Sequence, residues 1–377
     1  MATPTTIAHL RWQPYQLPLR QPFANSRGPL IVRYGAIVTL TLADGTHGNG
    51  DIAPLPYHDA ASLTAALARV PELAAALTDQ PTPVALESIA TYAQSSAFPA
   101  ALLCGVETAL LDAIGKREGR SLATLLADEQ AAIRASVPVN AVIGGGNLAD
   151  GVRAACEAVA AGFTCLKLKA GALRSTAREI ERIAAIREAI GPVIALRLDA
   201  NASWTFDEAI AILTACAPID IQYVEQPLPV GRLAEMSALR WRVPVPIAAD
   251  EELTGLASAR RVLDAGAADV LVIKPQTAGG LLASKQIIRA ATASNVCCVL
   301  TSAIESGIGV AATLHLAAAM PEVSLACGLA TLPLLHDDLI IEELPLRNGM
   351  MAVPNDIGLG VTLDEAALTR YSHEYTE

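Results

Sequence analysis

ALRLDAN at residues 195–201, IQYVEQP at 221–227, PIAADE at 246–251 and DVLVIKP at 269–275 are short apolar runs, each closed by a charged residue. The closing residues, Asp199, Glu225, Asp250 and Lys274, stand 26, 25 and 24 residues apart, the length of a strand plus its crossover helix. The ladder extends back to CLKLKA (165–170), with Lys167 and Lys169, and forward to CCVLTSAIES (297–306). Parallel strands buried on both faces read as continuous apolar runs, as VLVIK and CCVL do. Between them, Ile180, Ile183, Ile186 and Ile190 keep a helical stripe that Gly191-Pro192 stops, and Thr205 with Glu208 predicts a capping box. Alternating strand and helix gives a parallel sheet. An open doubly wound sheet gathers its chemistry at one switch point, usually beside a Gly-rich phosphate loop. Here polar residues close many strands, as on the C-terminal rim of a closed barrel.

The 377 residues exceed the roughly 250 of one such barrel and leave room for a second domain. A hydrophobic fraction of 52% with 17% charged residues describes a well-buried globular chain. A net charge of −11 argues against nucleic acid or an acidic membrane as partner. No apolar run has the length of a membrane span, and MATPTTIAHLRWQPYQ lacks a signal-peptide core, so the expected location is cytoplasmic. Seven cysteines without CxxC spacing, with Cys165, Cys297, Cys298 and Cys327 inside apolar strands, read as buried reduced thiols.

Residues 8 to 53 read as a small antiparallel sheet with a tight turn at Asp44-Gly45. Residues 62 to 78 and 98 to 128 read as helices: Leu102, Val106, Leu110 and Ile114 share a face, Gly119 ends that run, and Ser121 caps SLATLLA. The barrel begins near SVPVNAVIGGG, whose Gly144 to Gly146 run lacks a following GK[ST] and reads as a rim loop. After Thr331 the ladder ends. Asn348-Gly349 marks another hairpin and DEAALTRY a short helix, expected to return to the N-terminal sheet. The expected organisation is a capping domain over 1–130, a barrel over 131–340, and a segment 341–377 that rejoins the cap. The loop around Pro22 to Gly28, with Ser26 and Arg27, would serve as a lid over the barrel mouth.

Asp199, Glu225 and Asp250 end three consecutive strands, so a barrel would bring their oxygens to one rim. Any one of them could as easily pair with a lysine or cap a helix. Together, with no histidine or cysteine beside them, they are suited to a hard cation such as Mg²⁺. Lys167 and Lys169 alternate onto one strand face. They read as a solvated strand end, an anion clamp or a proton-transfer pair, and two adjacent ammonium groups are expected to depress each other's pKa. Lys274 would stand across the mouth from Lys169, with the carboxylates between. A Schiff-base aldolase would want one desolvated lysine instead of three beside carboxylates.

KLK at 167–169, RLDAN at 197–201, VEQP at 224–227, ADE at 249–251, IKP at 273–275 and CGVETALLDAIGK at 104–116 resemble the enolase superfamily, specifically its muconate lactonizing enzyme subgroup. The resemblance implies a (β/α)7β TIM-like barrel with an α+β capping domain formed by the N-terminal region and the C-terminal tail. It implies Lys169 and Lys274 as opposed acid/bases, Lys167 as their electrostatic neighbour, and Asp199, Glu225 and Asp250 as ligands of Mg²⁺, with Mn²⁺ an acceptable substitute. Arg197 and Asn201, on the strand face of Asp199, are candidate groups in or behind that site. The implied partner is a small carboxylate substrate, and a homo-oligomer is compatible with it.

Dipeptide epimerases of the subgroup present Asp-x-Asp on the last barrel strand, where SLACGLAT (324–331) has no acid. TSAIESGIG (301–309) and CGLATLPLLHDDL (327–339) look most like the o-succinylbenzoate synthases of menaquinone and phylloquinone biosynthesis. That resemblance implies dehydration of 2-succinyl-6-hydroxy-2,4-cyclohexadiene-1-carboxylate through an enediolate, with Ser302 and Gly328 toward the succinyl group and Ser26 and Arg27 in the lid. N-acylamino acid racemase, dipeptide epimerase and muconate cycloisomerase remain the alternatives within the subgroup.

Overall fold

The computed structural model describes residues 5–25, 28–55, 59–129, 131–144, 146–171, 173 and 175–372. Strands β1 (Ile7–Asn25), β2 (Gly28–Leu42) and β3 (His47–Ile52) form an antiparallel sheet in that order, leaving β3 at an edge. The turn between β2 and β3 holds Gly45 at φ +86°, and Asp44 accepts a bond from the Thr46 amide.

Five helices follow: α1 (Asp59–Ala68), α2 (Val70–Leu77), α3 (Thr82–Ser95), α4 (Ala100–Glu118) and α5 (Leu122–Leu126). The single helix expected over 62–78 is divided because Pro71, in the first turn of α2, cannot sit inside a helix. Helix α3 had no expectation, since it buries only Thr82, Ala85 and Ile89 and its apolar stripe is short. Helix α4 lies against β3 so closely that a Cβ on Gly50 would fall 1.9 Å from the Gly105 carbonyl oxygen. The glycines of HGNGD are therefore a packing requirement. They let an apolar helix cover the sheet and close one core around Leu40, Ile52, Leu102 and Val106.

Short strands β4 (Ser136–Pro138) and β5 (Ala141–Ile143) lead into β6 (Cys165–Lys169), β7 (Ala195–Asp199), β8 (Ile221–Glu225), β9 (Ile247–Ala249), β10 (Val270–Ile273) and β11 (Cys297–Leu300). From β5 to β11 each pairs in parallel with the next. The two edges meet through Cys327 and Gly328. Cys327 pairs with Val139 and Gly328 with Thr301, both in parallel. The Cys327 amide donates to Pro138 O at 2.7 Å, and the Gly328 amide to Leu300 O at 2.9 Å. This short eighth strand closes the barrel. Helices α6 (Leu148–Ala160), α7 (Thr176–Ile190), α8 (Phe206–Ala215), α9 (Leu233–Arg240), α10 (Leu256–Asp264), α11 (Pro275–Ala278), α12 (Leu281–Ala293) and α13 (Gly307–Ala319) fill the crossovers. The capping box is formed, with the Thr205 hydroxyl accepting from the Glu208 amide and the Glu208 carboxylate from the Thr205 amide. The architecture is a (β/α)7β barrel with a separate α+β cap.

The C-terminal hairpin, β12 (Leu346–Arg347) and β13 (Met350–Ala352), turns through Asn348 and Gly349 at positive φ. Strand β13 pairs with β4 and not with the N-terminal sheet. Residues 136–138 enter ahead of the barrel ladder proper and still have an open edge there. The tail reaches β1 further on, at and after α14 (Glu365–Arg370), where the Gln16 amide donates to Tyr371 O at 2.9 Å and Ser372 pairs with Tyr15. The seven cysteines are free, and Cys165, Cys298 and Cys327 are buried as expected. Cys297, at the start of β11, is exposed instead. Among the described residues no helix is long and apolar enough to cross a membrane.

Candidate active site

The parallel register aligns two rungs across neighbouring strands. Lys169, Asp199 and Glu225 share the upper rung, and Lys167, Arg197 and Tyr223 the rung beneath. Asp250 follows β9 and Lys274 follows β10, which continues the upper row round the rim. Lys169 Nζ donates to Asp199 Oδ2 at 2.6 Å and to Asn201 Oδ1 at 3.1 Å. Lys167 Nζ lies 3.1 Å from Asp199 Oδ2 and bonds both Glu225 oxygens at 3.0 and 3.1 Å. Lys274 Nζ bonds Asp250 Oδ1. The structure thus brings together the six residues singled out in the sequence, with Lys169 at one end of a carboxylate row and Lys274 at the other.

Burial shapes this electrostatics. Burial alone would lift the Asp199 carboxyl, but Lys169 and Lys167 outweigh it and hold it below the usual carboxylate range. Glu225 is pushed up to about 8, by burial first and then by the charge of Asp199, with Lys167 opposing and Asp250 adding to the rise. The expectation that the paired lysines depress one another is reversed at Lys167. Burial pulls its ammonium down, yet Glu225 and Asp199 hold it well above the ordinary lysine value. Lys274 is raised in the same way, with Asp250, Glu225 and Glu251 overcoming burial. Opposite charges within reach decide these shifts, with carboxylate oxygens 3.0 and 3.1 Å from the Lys167 ammonium.

Asn201, at φ +46°, turns its side chain between Lys169 and Glu251, its Nδ2 lying 3.4 Å from Glu251 Oε1. Glu251 was not assigned a role from the sequence, although it sits in the ADE run. Burial and the charge of Asp250 push its carboxyl up to about 7. Arg197 is fully buried in the barrel interior, where its Nε donates to Gln222 at 2.6 Å and its Nη1 to Asn140 and Ala326 O, with the guanidinium 4.7 Å from the Tyr223 ring. One rung below the carboxylates, it forms the floor behind the site. The Ser302 hydroxyl is 2.7 Å from that of Thr331, and a Cβ on Gly328 would fall 2.2 Å from Thr301 Oγ1. Ser26 and Arg27 lie outside the described residues.

A cavity of about 570 Å³ opens over Asp250, Glu251 and Lys274. Its far wall is capping-domain surface, including Pro54, Leu55, Ala65, Ala66 and Ala101, and its barrel wall includes Val230, Leu253 and Gln276. A small ligand there would have apolar contact on one side and charge on the other, as ligand sites commonly do.

Among the described residues, no three acidic, histidine or cysteine side chains meet as a ready-made metal cluster. Each of the three carboxylates is instead held by a lysine. The donor set nonetheless fits a hard divalent cation. Asp199, Glu225 and Asp250 offer only oxygen, are buried, and lie near enough that Asp199 and Asp250 both raise the Glu225 carboxyl.

Residues 150–367 match the family described as Enolase C-terminal domain-like. An o-succinylbenzoate synthase of Thermobifida fusca (strain YX) is 40% identical over 225 residues, which are 59% of this chain and 68% of the relative. Among solved structures, the muconate lactonizing enzyme of Pseudomonas fluorescens complexed with muconolactone superposes with a TM-score of 0.92 at 25% identity, covering 98% of this chain and all of that one. A dipeptide epimerase of Enterococcus faecalis V583, complexed with Mg and the dipeptide L-Leu-L-Tyr, superposes with a TM-score of 0.88 at 26% identity over 95% of this chain and 99% of that one. With a matching family model over more than half its length and a barrel rim built of lysines and carboxylates, the chain belongs to the enolase C-terminal domain-like family and is an enzyme of the enolase superfamily.

Proposed function

We propose that this protein is an o-succinylbenzoate synthase, dehydrating 2-succinyl-6-hydroxy-2,4-cyclohexadiene-1-carboxylate. The observation that carries the reading is the placement of Lys169 and Lys274 at the two ends of one buried carboxylate row, with a cavity of about 570 Å³ at the Lys274 end. Similarity to the Thermobifida fusca synthase and the lack of any acid in 324–331 favour it over dipeptide chemistry. Asp199, Glu225 and Asp250 would hold Mg²⁺. When bound, the cation supplies positive charge for enediolate oxygens and weakens the carboxylates' hold on the lysine protons.

The α-proton of a carboxylate substrate is too weakly acidic to leave without a placed base and charge stabilisation. Lys169 takes that proton and returns it to the leaving hydroxyl on the same face, giving a syn elimination of water. Asn201 accepts from the Lys169 ammonium beside Asp199 and so helps set its direction. Lys274 provides cationic stabilisation from the other face. Lys167 neutralises Glu225 and Asp199 and keeps the row from expelling itself. Ser302 and Gly328, at the last two strand ends, would take the succinyl side, with the Ser302 hydroxyl bonded to that of Thr331.

Because the lysines stand on opposite sides, racemisation of N-acylamino acids is a second activity the same site supports. The test is a substrate panel run with and without Mg²⁺: the cyclohexadiene carboxylate, N-acylamino acids of both hands, cis,cis-muconate and Ala-Glu dipeptides. Mg²⁺-dependent dehydration should be the fastest reaction. Faster lactonisation of muconate or efficient epimerisation of the dipeptides would overturn the assignment.

A further inference from the structure

Gln276 has no place in any motif of the sequence, yet it lies two residues after Lys274 and is almost fully buried. It belongs to the turn that fixes the Lys274 backbone, where Thr277 N and Ala278 N both donate to Lys274 O at 3.0 and 2.9 Å. Its side-chain amide faces the capping domain. Gln276 Nε2 donates to Asp51 O at 2.8 Å, and its Oε1 accepts from Ala53 N at 3.0 Å.

These two backbone groups belong to the free edge of β3. Residues i and i+2 of a strand point a carbonyl and an amide to the same side, and β3 has β2 on its other side only. A primary amide carries one acceptor and one donor at matching separation, so Gln276 acts as a one-residue strand against that edge.

Ala53 is held from a second direction. Its carbonyl accepts from Arg33 Nη2 at 2.7 Å, and the same guanidinium donates Nε to Ile304 O at 3.0 Å. Ile304 adopts φ +62°, a conformation that strains a β-branched residue, and its amide donates to Ser302 Oγ at 3.2 Å. Asp51 meanwhile accepts from Ser306 N and Oγ at 2.9 and 2.6 Å. Residues 51–53 therefore join the Lys274 turn, through Gln276, to the turn carrying Ser302, through Arg33. They continue directly into Pro54 and Leu55, which wall the cavity.

We propose that Gln276 is a positioning residue for Lys274, tying the height and direction of that lysine to the docked edge of the capping domain. The inference rests on the reading that Lys274 faces the reacting carbon opposite Lys169, as charge stabiliser in dehydration and as base in exchange with N-acylamino acids. Lys169 stands on a regular strand, in register with Asp199, and among the described residues its side chain bonds Asp199 and Asn201 of the barrel. Loosening Gln276 should therefore harm chemistry on the Lys274 face selectively. A residue serving only to hold the domains together would harm both faces alike.

The experiment follows exchange of the α-proton with D₂O for the two enantiomers of an N-acylamino acid, on wild type, Gln276→Leu and Gln276→Glu with Mg²⁺ present. Leu removes both bonds, and Glu replaces the amide donor with a carboxylate facing Asp51 O. Ser306→Ala removes one bond to the Asp51 carboxylate while leaving both Gln276 bonds in place, and serves as the comparison. Exchange of the enantiomer that depends on Lys274, identified with Lys274→Ala, should fall about tenfold to a hundredfold in both Gln276 variants, while the other stays within about twofold. Ser306→Ala should leave the ratio of the two rates at its wild-type value. Equal losses for both enantiomers, or a lowered melting temperature with an unchanged ratio, would overturn the inference and leave the assignment of Lys274 standing. Wild-type enzyme that exchanges neither enantiomer would overturn that assignment, and this inference with it.

Discussion

Lys167 bonds both oxygens of Glu225, at 3.0 and 3.1 Å, in the centre of a row whose ends are taken by Lys169 and Lys274. Of the three lysines it is the one most enclosed by opposite charge, and it is the least suited to giving up a proton. Its task is to make the burial of Glu225 and Asp199 tolerable.

Lys167→Met should accordingly destabilise the fold. Removing one partner of a buried ion pair strands the other, at a cost of about 3 kcal/mol or more. The urea midpoint at pH 8 should fall, and Mg²⁺ should restore part of the loss by taking over the carboxylates. A midpoint equal to wild type in both conditions would show that Lys167 is dispensable to the row.

Activity should depend on a divalent cation. Chelation should abolish turnover, Mg²⁺ or Mn²⁺ should restore it, and Asp250→Asn should raise the concentration of metal needed for half-maximal rate. Undiminished turnover by metal-stripped enzyme would sink the assignment of Asp199, Glu225 and Asp250 as ligands.

Lys169→Ala should eliminate dehydration, losing roughly 10²–10⁴-fold, the range of general acid/base catalysis. Lys274→Ala should slow dehydration through lost charge stabilisation. With N-acylamino acids in D₂O, each variant should lose exchange with one enantiomer and keep it with the other. Wild-type exchange of both enantiomers in both variants would mean that the lysines do not flank the reacting carbon.

Glu107 accepts bonds from the Leu281 and Leu282 amides at the start of α12, and burial pushes its carboxyl from 4.5 up to about 7 against those bonds. The folded state thus holds this proton more tightly than the unfolded chain. The resulting stabilisation is complete below about pH 4.5 and is lost as pH rises to about 7, by up to about 3 kcal/mol. Glu107→Gln should flatten the stability profile across that window, measured by urea unfolding at a series of pH values. Parallel profiles for variant and wild type would contradict this.

Much of the barrel was legible because its signal is periodic. Short strands alternating with helices of similar length put Asp199, Glu225, Asp250 and Lys274 at near-constant spacing, and parallel pairing carries that spacing onto one rim. Arg197 lies behind the site, one of the two places the sequence left open, because strand alternation gives the face of a side chain but not its depth. It shares a face with Asp199 and lies one rung lower, in the interior. The pKa direction at Lys167 was missed for a related reason, since its carboxylate neighbours come from other strands at distances the sequence does not carry. Gln276 and the pairing of β13 with β4 left no local pattern at all, because each satisfies an edge formed by residues far away in the chain.

The barrel's last strand is only Cys327 and Gly328, and it supplies the missing neighbour to both Val139 and Thr301. During synthesis the outer side of the first barrel strand therefore waits through half of the chain for its partner. The capping sheet waits longer, since Tyr371 and Ser372 complete the bonding of β1. Such late, long-range closures slow folding and leave strand edges open to other chains meanwhile. Nascent chains in which residue 328 is still enclosed by the ribosome should consequently be more prone to aggregate than chains stalled late enough to expose it, so the vulnerable period in this protein's life is set by ribosome position.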